Sequence, residues 1–393
     1  MPRIAGAPTR FVCRSALIIT VLLVAGEARA QWSTTHEQFY LPGSFNWQFR
    51  RFYPAADRLF NAFDYGHAIL YEELYTRPSG PVSRLEQARY DFITRKLLNA
   101  PPRVPLEESA IEIAYAKIAP EAKLMFDWAH LLHRQIYDVL ADERMSRARQ
   151  DATIAELLRY YRTRPDLAFS ARPKTMELME GQHFSLAFRK RYPKFNGLIW
   201  AYHWLQVGLY EPLVTAATPE GRQHGVAAAV ARFRQMLESA PDNMPRVMPM
   251  TPAVAPEFTR RYPEAAVIFD NLHSMHDVIS DILASDHIPK DQKRREILRY
   301  GRMYRDDSSF IDTRESWLAM AQDMGVANMG GPAVGILGAP PTPTLPVGST
   351  MHPGGHGTHG TPADSTKRES KPPAAAQPAR PKADPHAGHR PPR

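Results

Sequence analysis

Four stretches of this chain follow one pattern, and that repetition restricts the fold more than any other feature. Aligned on Pro54, Pro120, Pro193 and Pro263 they read RRFYPAADRLFNAFDYGHAILYEEL, KIAPEAKLMFDWAHLLHRQIYDVL, KRYPKFNGLIWAYHWLQVGLYEPL and RRYPEAAVIFDNLHSMHDVISDIL. Counted from proline, position six is Phe60, Phe126, Ile199 or Phe269, and position ten is Asp64, His130, His203 or His273. Position thirteen is His67, His133, Gln206 or His276, and position seventeen is Tyr71, Tyr137, Tyr210 or Ser280. Position eighteen is Glu72, Asp138, Glu211 or Asp281, and position twenty is Leu in every copy. The columns agree without a gap, so common descent within the chain explains them better than coincidence.

A longer period runs beneath the first. LLNAPPRVP after the first copy resembles MLESAPDNMPRVMP after the third, and AELLRYYR after the second resembles REILRYGR after the fourth. Pro54 and Pro193 are 139 residues apart, and Pro120 and Pro263 are 143 apart. Two tandem halves, 31–180 and 181–325, are therefore expected.

Each copy reads as a helix. Proline suits the first helical turn, where its missing N–H breaks no bond, and apolar residues recur at spacings of three and four. Further helices are expected over Val82–Leu98, Ala152–Tyr161, Pro219–Leu237, Lys290–Tyr300 and Arg314–Met324, and no segment alternates like a half-buried strand. The expected fold is all-α, a tandemly duplicated helical bundle.

On a helical wheel, positions seven, ten, thirteen, fourteen, seventeen and eighteen share an arc of about 140°. That polar stripe admits three readings. It is a solvated face, a buried network in which imidazole, carboxylate and tyrosine satisfy one another, or a metal site. A solvated stripe would favour Lys, Glu and Gln and would drift between copies, whereas six of the ten histidines in residues 31–325 fall in two columns. Asp64-x-x-His67, Asp127-x-x-His130 and Asp270-x-x-His273 place carboxylate and imidazole on one helix face. This resembles the di-iron carboxylate bundles in ligand type and helix count, with Asp in place of their Glu. The metal reading names His130, His133, His273 and His276, with Asp127, Asp270, Asp138 and Asp281 as ligands or as partners that orient imidazole. His67, Asp64, Glu72, His203 and Glu211 belong to the same columns. The third copy is degenerate, with Trp200 for the acid and Gln206 for histidine. Such donors suit iron, zinc, manganese or copper.

Composition narrows the setting. Residues 1–30 read as a signal peptide: Arg3, Arg10 and Arg14 precede an apolar run to Gly26, and Ala28-Arg29-Ala30 fits a cleavage site. That implies a periplasmic or secreted protein. The only cysteine, Cys13, lies in this leader, so no disulfide or thiolate ligand is expected in the body. The leader carries +3 and residues 330–393 carry +4, which leaves +1 of the chain's +8 for the body. A body so near neutrality has no field to attract nucleic acid, and no later segment reaches the roughly 18 apolar residues of a membrane span. Residues 326–393 lack aromatics, are rich in Pro and Gly, and read as a disordered tail. It carries His352, His356, His359, His386 and His389, a composition that gathers metal or serves as a linker. No phosphate loop, nucleophile elbow or His-Glu-x-x-His motif is present. Two functions fit: an exported bundle that stores, buffers or does redox chemistry with metal, and a non-catalytic scaffold whose tail is an arm for an envelope partner.

Overall fold

The computed structural model describes residues 47–76, 82–103, 117–335 and 338–351. The leader and the five tail histidines lie outside these residues.

The fold is all-α. The helices are α1 (Gln48–Phe52), α2 (Pro54–Thr76), α3 (Val82–Phe92), α4 (Pro120–Ala141), α5 (Arg147–Tyr161), α6 (Met176–Glu180), α7 (Ala187–Arg191) and α8 (Pro193–Gly208). They continue with α9 (Tyr210–Thr215), α10 (Pro219–Met236), α11 (Thr251–Val254), α12 (Pro256–Arg261), α13 (Pro263–Ala284), α14 (Lys293–Arg305) and α15 (Arg314–Asp323). A π-helical turn, Ile93–Leu97, extends α3. Among the described residues the one extended pairing is a single bridge between Lys174 and Ile311.

The four repeated segments are α2, α4, α8 with α9, and α13. Each begins at its proline, as expected, and the residue before it has a recurring bent conformation. Its φ/ψ is −128°/56° at Tyr53, −140°/70° at Ala119, −130°/63° at Tyr192 and −127°/59° at Tyr262. Proline's ring forbids the helical conformation to its predecessor, so a short helix meets a long one at a bend. Hydrogen bonding survives it: Tyr53, Tyr192 and Tyr262 donate back to Phe49, Phe188 and Phe258 at 2.7–2.8 Å.

Burial places α8 and α13 at the centre. Every residue of α13 from Ala265 to Ala284 is buried, and so is α8 from Phe195 to Gly208. A helix buried on all faces belongs inside a domain. Helix α13 packs against α2, α4 and α14, while α9 packs against α4. Gly197 is needed where α8 meets Met244, since a Cβ there would come within 2.5 Å of the Met244 sulfur.

Most of the polar stripe faces this interior rather than solvent, and in three of the four copies its eighteenth column has a structural task. Short helices α1 and α7 begin at Trp47 and Leu186, both left-handed with φ of 67° and 69°, and neither side chain caps its own helix. Carboxylates from elsewhere do so. Asp138 accepts from Trp47 N at 2.9 Å and Phe49 N at 2.8 Å, and Asp281 accepts from Leu186 N and Phe188 N at 2.8 Å. Glu211 likewise accepts from Glu257 N and Phe258 N at 3.1 Å, at the start of α12. A carboxylate at a helix N-terminus satisfies orphan N–H groups and meets the positive end of the dipole.

The body ends later than expected. Thr344 and Leu345 donate backbone N–H groups to Asn328 Oδ1, at 2.8 and 3.1 Å. Arg189 reaches Ser349 O at 2.9 Å, and Met351 donates its N–H to Glu180 at 2.7 Å while its side chain is buried. Buried methionines, Met329 and Met351, take the place of the missing aromatics.

Candidate metal centre

The six histidines of the tenth and thirteenth columns converge in the core, carried by all four long segments. His67 comes from α2, His130 and His133 from α4, His203 from α8, and His273 and His276 from α13. Ring centroids are 4.7 Å apart for His67 and His276, 5.0 Å for His203 and His276, and 6.5 Å for His67 and His203. These three rings each offer a nitrogen within 4.8 Å of the others, and all three are buried. Among the described residues no other group of His, Cys, Asp or Glu is so placed. One tetrahedral ion with bonds of about 2.0–2.1 Å spaces its nitrogens roughly 3.3 Å apart, so binding would draw the set inward by about an ångström.

The remaining rings continue the cluster. His273 stacks on His203 at 4.2 Å and lies 5.8 Å from His133, which stacks on Phe269 at 3.4 Å. His130, half-buried, is 6.4 Å from His133. His133 Nδ1 shares a 2.7 Å hydrogen bond with the Tyr210 hydroxyl, which also lies 3.2 Å from the His133 carbonyl. Tyr210 stacks on Tyr137 at 4.3 Å, and the Tyr137 hydroxyl donates to the Gln206 carbonyl.

Electrostatics fit imidazoles held neutral. Burial keeps His67, His133, His203 and His273 well below the usual imidazole range, and neighbouring rings add to the effect. A neutral ring has one lone pair to give. Yet His133 Nε2, His203 Nδ1 and both nitrogens of His273 have no hydrogen-bond partner. Each such atom costs about 1–3 kcal/mol. The same holds of other buried polar atoms, the Tyr202 hydroxyl and Gln135 Nε2 among them.

The carboxylates go elsewhere. Asp270 accepts from Thr251 N at 2.9 Å, Thr251 Oγ1 at 2.6 Å and Trp317 Nε1 at 2.8 Å, and burial still pushes it up to about 7. Asp138 is also pushed up to about 7 by burial, against its two backbone donors. Burial raises Asp281 and Glu211 in the same way. Asp127 pairs with Lys123, and Asp64 lies 3.8 Å from Arg134. Glu72 is exposed. None of these seven acids joins the histidine trio. The sequence places each on the right helix face, but position eighteen lies beyond the cluster and meets helix starts instead. His203, from the copy that looks degenerate, is in the trio.

A cavity of about 40 Å³ borders the cluster, lined by His67, His130 and His133 among others. Asp64, Asp127 and Arg134 also line it, each partly exposed. Two larger clefts, of about 590 and 550 Å³, include none of the six histidines.

Sequence reading missed Tyr210 as the partner of His133, and Arg189. The Arg189 guanidinium is fully buried, 2.5 Å from Glu180 and 3.0 Å from Asp277, and lies over the Trp200 ring. Its one signal was the Lys/Arg run before Pro193, shared with the other copies. Among the described residues no helix is long and apolar enough to cross a membrane. Compared with known proteins, the chain matches no family model, no curated protein and no solved structure.

Proposed function

We propose that this chain is an exported, tandemly duplicated helical-bundle protein that holds a transition-metal ion on His67, His203 and His276. The observation that carries the reading is the meeting of three buried imidazoles within 4.8 Å, beside further rings whose nitrogens have no partner. The duplication is supported by matched geometry: Asp138 caps α1 as Asp281 caps α7, and Trp47 and Leu186 share a left-handed start. Export to the periplasm or beyond rests on the leader-like composition of residues 1–30.

Donor chemistry narrows the metal. Neutral nitrogen without thiolate or carboxylate favours zinc, copper or iron(II) over manganese, which prefers oxygen. Three protein ligands leave a position open for water or an exchanging ligand, which fits storage, buffering or redox use. The five histidines beyond residue 351 would then add metal-collecting capacity.

A second reading is a scaffold with a structural polar core. It is favoured by the capping roles of Asp138, Asp281 and Glu211, which need no ligand. It gives no account of His273. Zinc binding separates the two. The full-length chain with His352, His356, His359, His386 and His389 changed to Ala is titrated calorimetrically with Zn2+. Tight binding that His67→Ala and His276→Ala each abolish supports the metal reading. Absence of binding, or binding indifferent to both substitutions, leaves the scaffold.

A further inference from the structure

A column of near-parallel rings leads away from the trio. His203 stacks on His273 at 4.2 Å and 12°, His273 on His133 at 5.8 Å and 25°, and His133 on Tyr210 at 5.7 Å and 16°. At its far end stands the ring easiest to oxidise, since a phenol gives up an electron far more readily than imidazole.

Losing an electron turns a phenol into a strong acid, so a buried tyrosine donates well only where a base can take its proton. Tyr210 has one. Its hydroxyl is buried, 2.7 Å from His133 Nδ1 and 3.2 Å from the His133 carbonyl. A neutral ring protonated on Nε2 turns its Nδ1 lone pair to this hydroxyl, at a distance that proton transfer requires. Burial weakens His133 as a base, but the oxidised phenol is the far stronger acid. Neighbouring tyrosines lack this arrangement. The Tyr137 hydroxyl donates to the Gln206 carbonyl, too weak a base to keep a proton. The Tyr202 hydroxyl is buried with no partner.

The cavity of about 40 Å³ is lined by both His67 of the trio and His133. A water needs roughly 10–15 Å³ on this measure, so a molecule of two oxygen atoms fits there.

We propose that Tyr210, with His133 as its proton acceptor, gives the second electron when hydrogen peroxide is reduced at iron(II) held by the trio. The proposal rests on the reading of the trio as a metal site. Peroxide needs two electrons and two protons to become two waters. Iron(II) alone gives one electron and leaves a hydroxyl radical in the core. Tyr210 gives the other: its O–H bond breaks, the electron passes along the ring column and the proton moves to His133 Nδ1. Two protons from solvent complete the waters. The products are two waters, iron(III), a neutral tyrosyl radical and a protonated His133.

Freeze-quench electron paramagnetic resonance tests this. The full-length chain with the five tail histidines changed to Ala is loaded anaerobically with equimolar Fe2+ and mixed with equimolar hydrogen peroxide. An organic radical is expected beside iron(III), with lines that narrow when the tyrosines are ring-deuterated. Tyr210→Phe should abolish it, and His133→Gln, which keeps a polar partner but takes no proton, should lower its yield several-fold. Iron uptake and circular dichroism should match the parent in both variants. Equal radical yield in parent and Tyr210→Phe, or iron(III) formed without any tyrosyl radical, overturns the role of Tyr210 and leaves the trio standing. Failure to bind iron, or binding indifferent to His276→Ala, overturns both.

Discussion

Replacing His273 by Leu should affect the metal-free and metal-loaded protein differently. The ring is buried, stacked on His203 at 4.2 Å, and both its nitrogens lack partners. In the metal-free state the substitution removes two unsatisfied polar atoms, worth about 1–3 kcal/mol each. The changed shape costs up to about 1.5 kcal/mol. A net gain near 2 kcal/mol raises the midpoint by about 3 °C for a domain of roughly 300 residues. Metal narrows the gap. At a hundredfold excess over its dissociation constant, one bound ion stabilises the native state by about 2.7 kcal/mol, and the variant, whose His203 has lost the ring stacked on it, gains less. Scanning calorimetry with chelator and then with Zn2+ reads both arms. If the metal-free variant melts several degrees below the parent while both gain equally from zinc, His273 is a satisfied structural ring and the reasoning fails.

Three further predictions address the frame around the centre. Asp281→Ala strips two backbone donors, Leu186 N and Phe188 N, of their acceptor; urea denaturation should show a loss of about 1–3 kcal/mol, with metal stoichiometry unchanged and Asp281→Asn largely restoring stability. Arg189→Met leaves Glu180 and Asp277 buried without their cation, which should cost about 3–5 kcal/mol and expose residues 345–351 to limited proteolysis. In pH series on the metal-free protein, the lowered values of His67, His133, His203 and His273 mean that the unfolded chain takes up protons first below about 6.5, so stability falls there by about 1.4 kcal/mol per unit per ring. Asp138, pushed up to about 7, works in the other direction and adds stability as pH falls from 7 toward 4; His203→Leu should therefore flatten the acid loss, and Asp138→Asn should steepen it.

Much of the fold was legible because the repeated pattern states it directly. Proline marks the start of each long helix, and α3, α5, α10, α14 and α15 lie within a few residues of where periodicity puts them. The convergence of six histidines was legible too, since two columns of one repeat must present the same face. Three features were hidden for physical reasons. Position eighteen reads as part of the polar stripe, but whether it reaches the centre depends on how far each helix runs beyond it. Trp47 and Leu186 adopt a left-handed conformation without Gly or Asn to announce it, so nothing in the sequence asks for an external cap. His203 looked isolated within a degenerate copy, yet its partners come from α2 and α13, which no single-helix pattern can show. The boundary near residue 325 was set by loss of aromatics, and Asn328 with Met351 holds the chain to the body well past it.

Elemental analysis of freshly isolated, full-length protein lacking the five tail histidines bears most directly on the central claim. At least one zinc, copper or iron per chain is expected, falling below a tenth in the His276→Ala variant while its helical spectrum persists. Trace metal in the parent, or equal content in parent and variant, would contradict it.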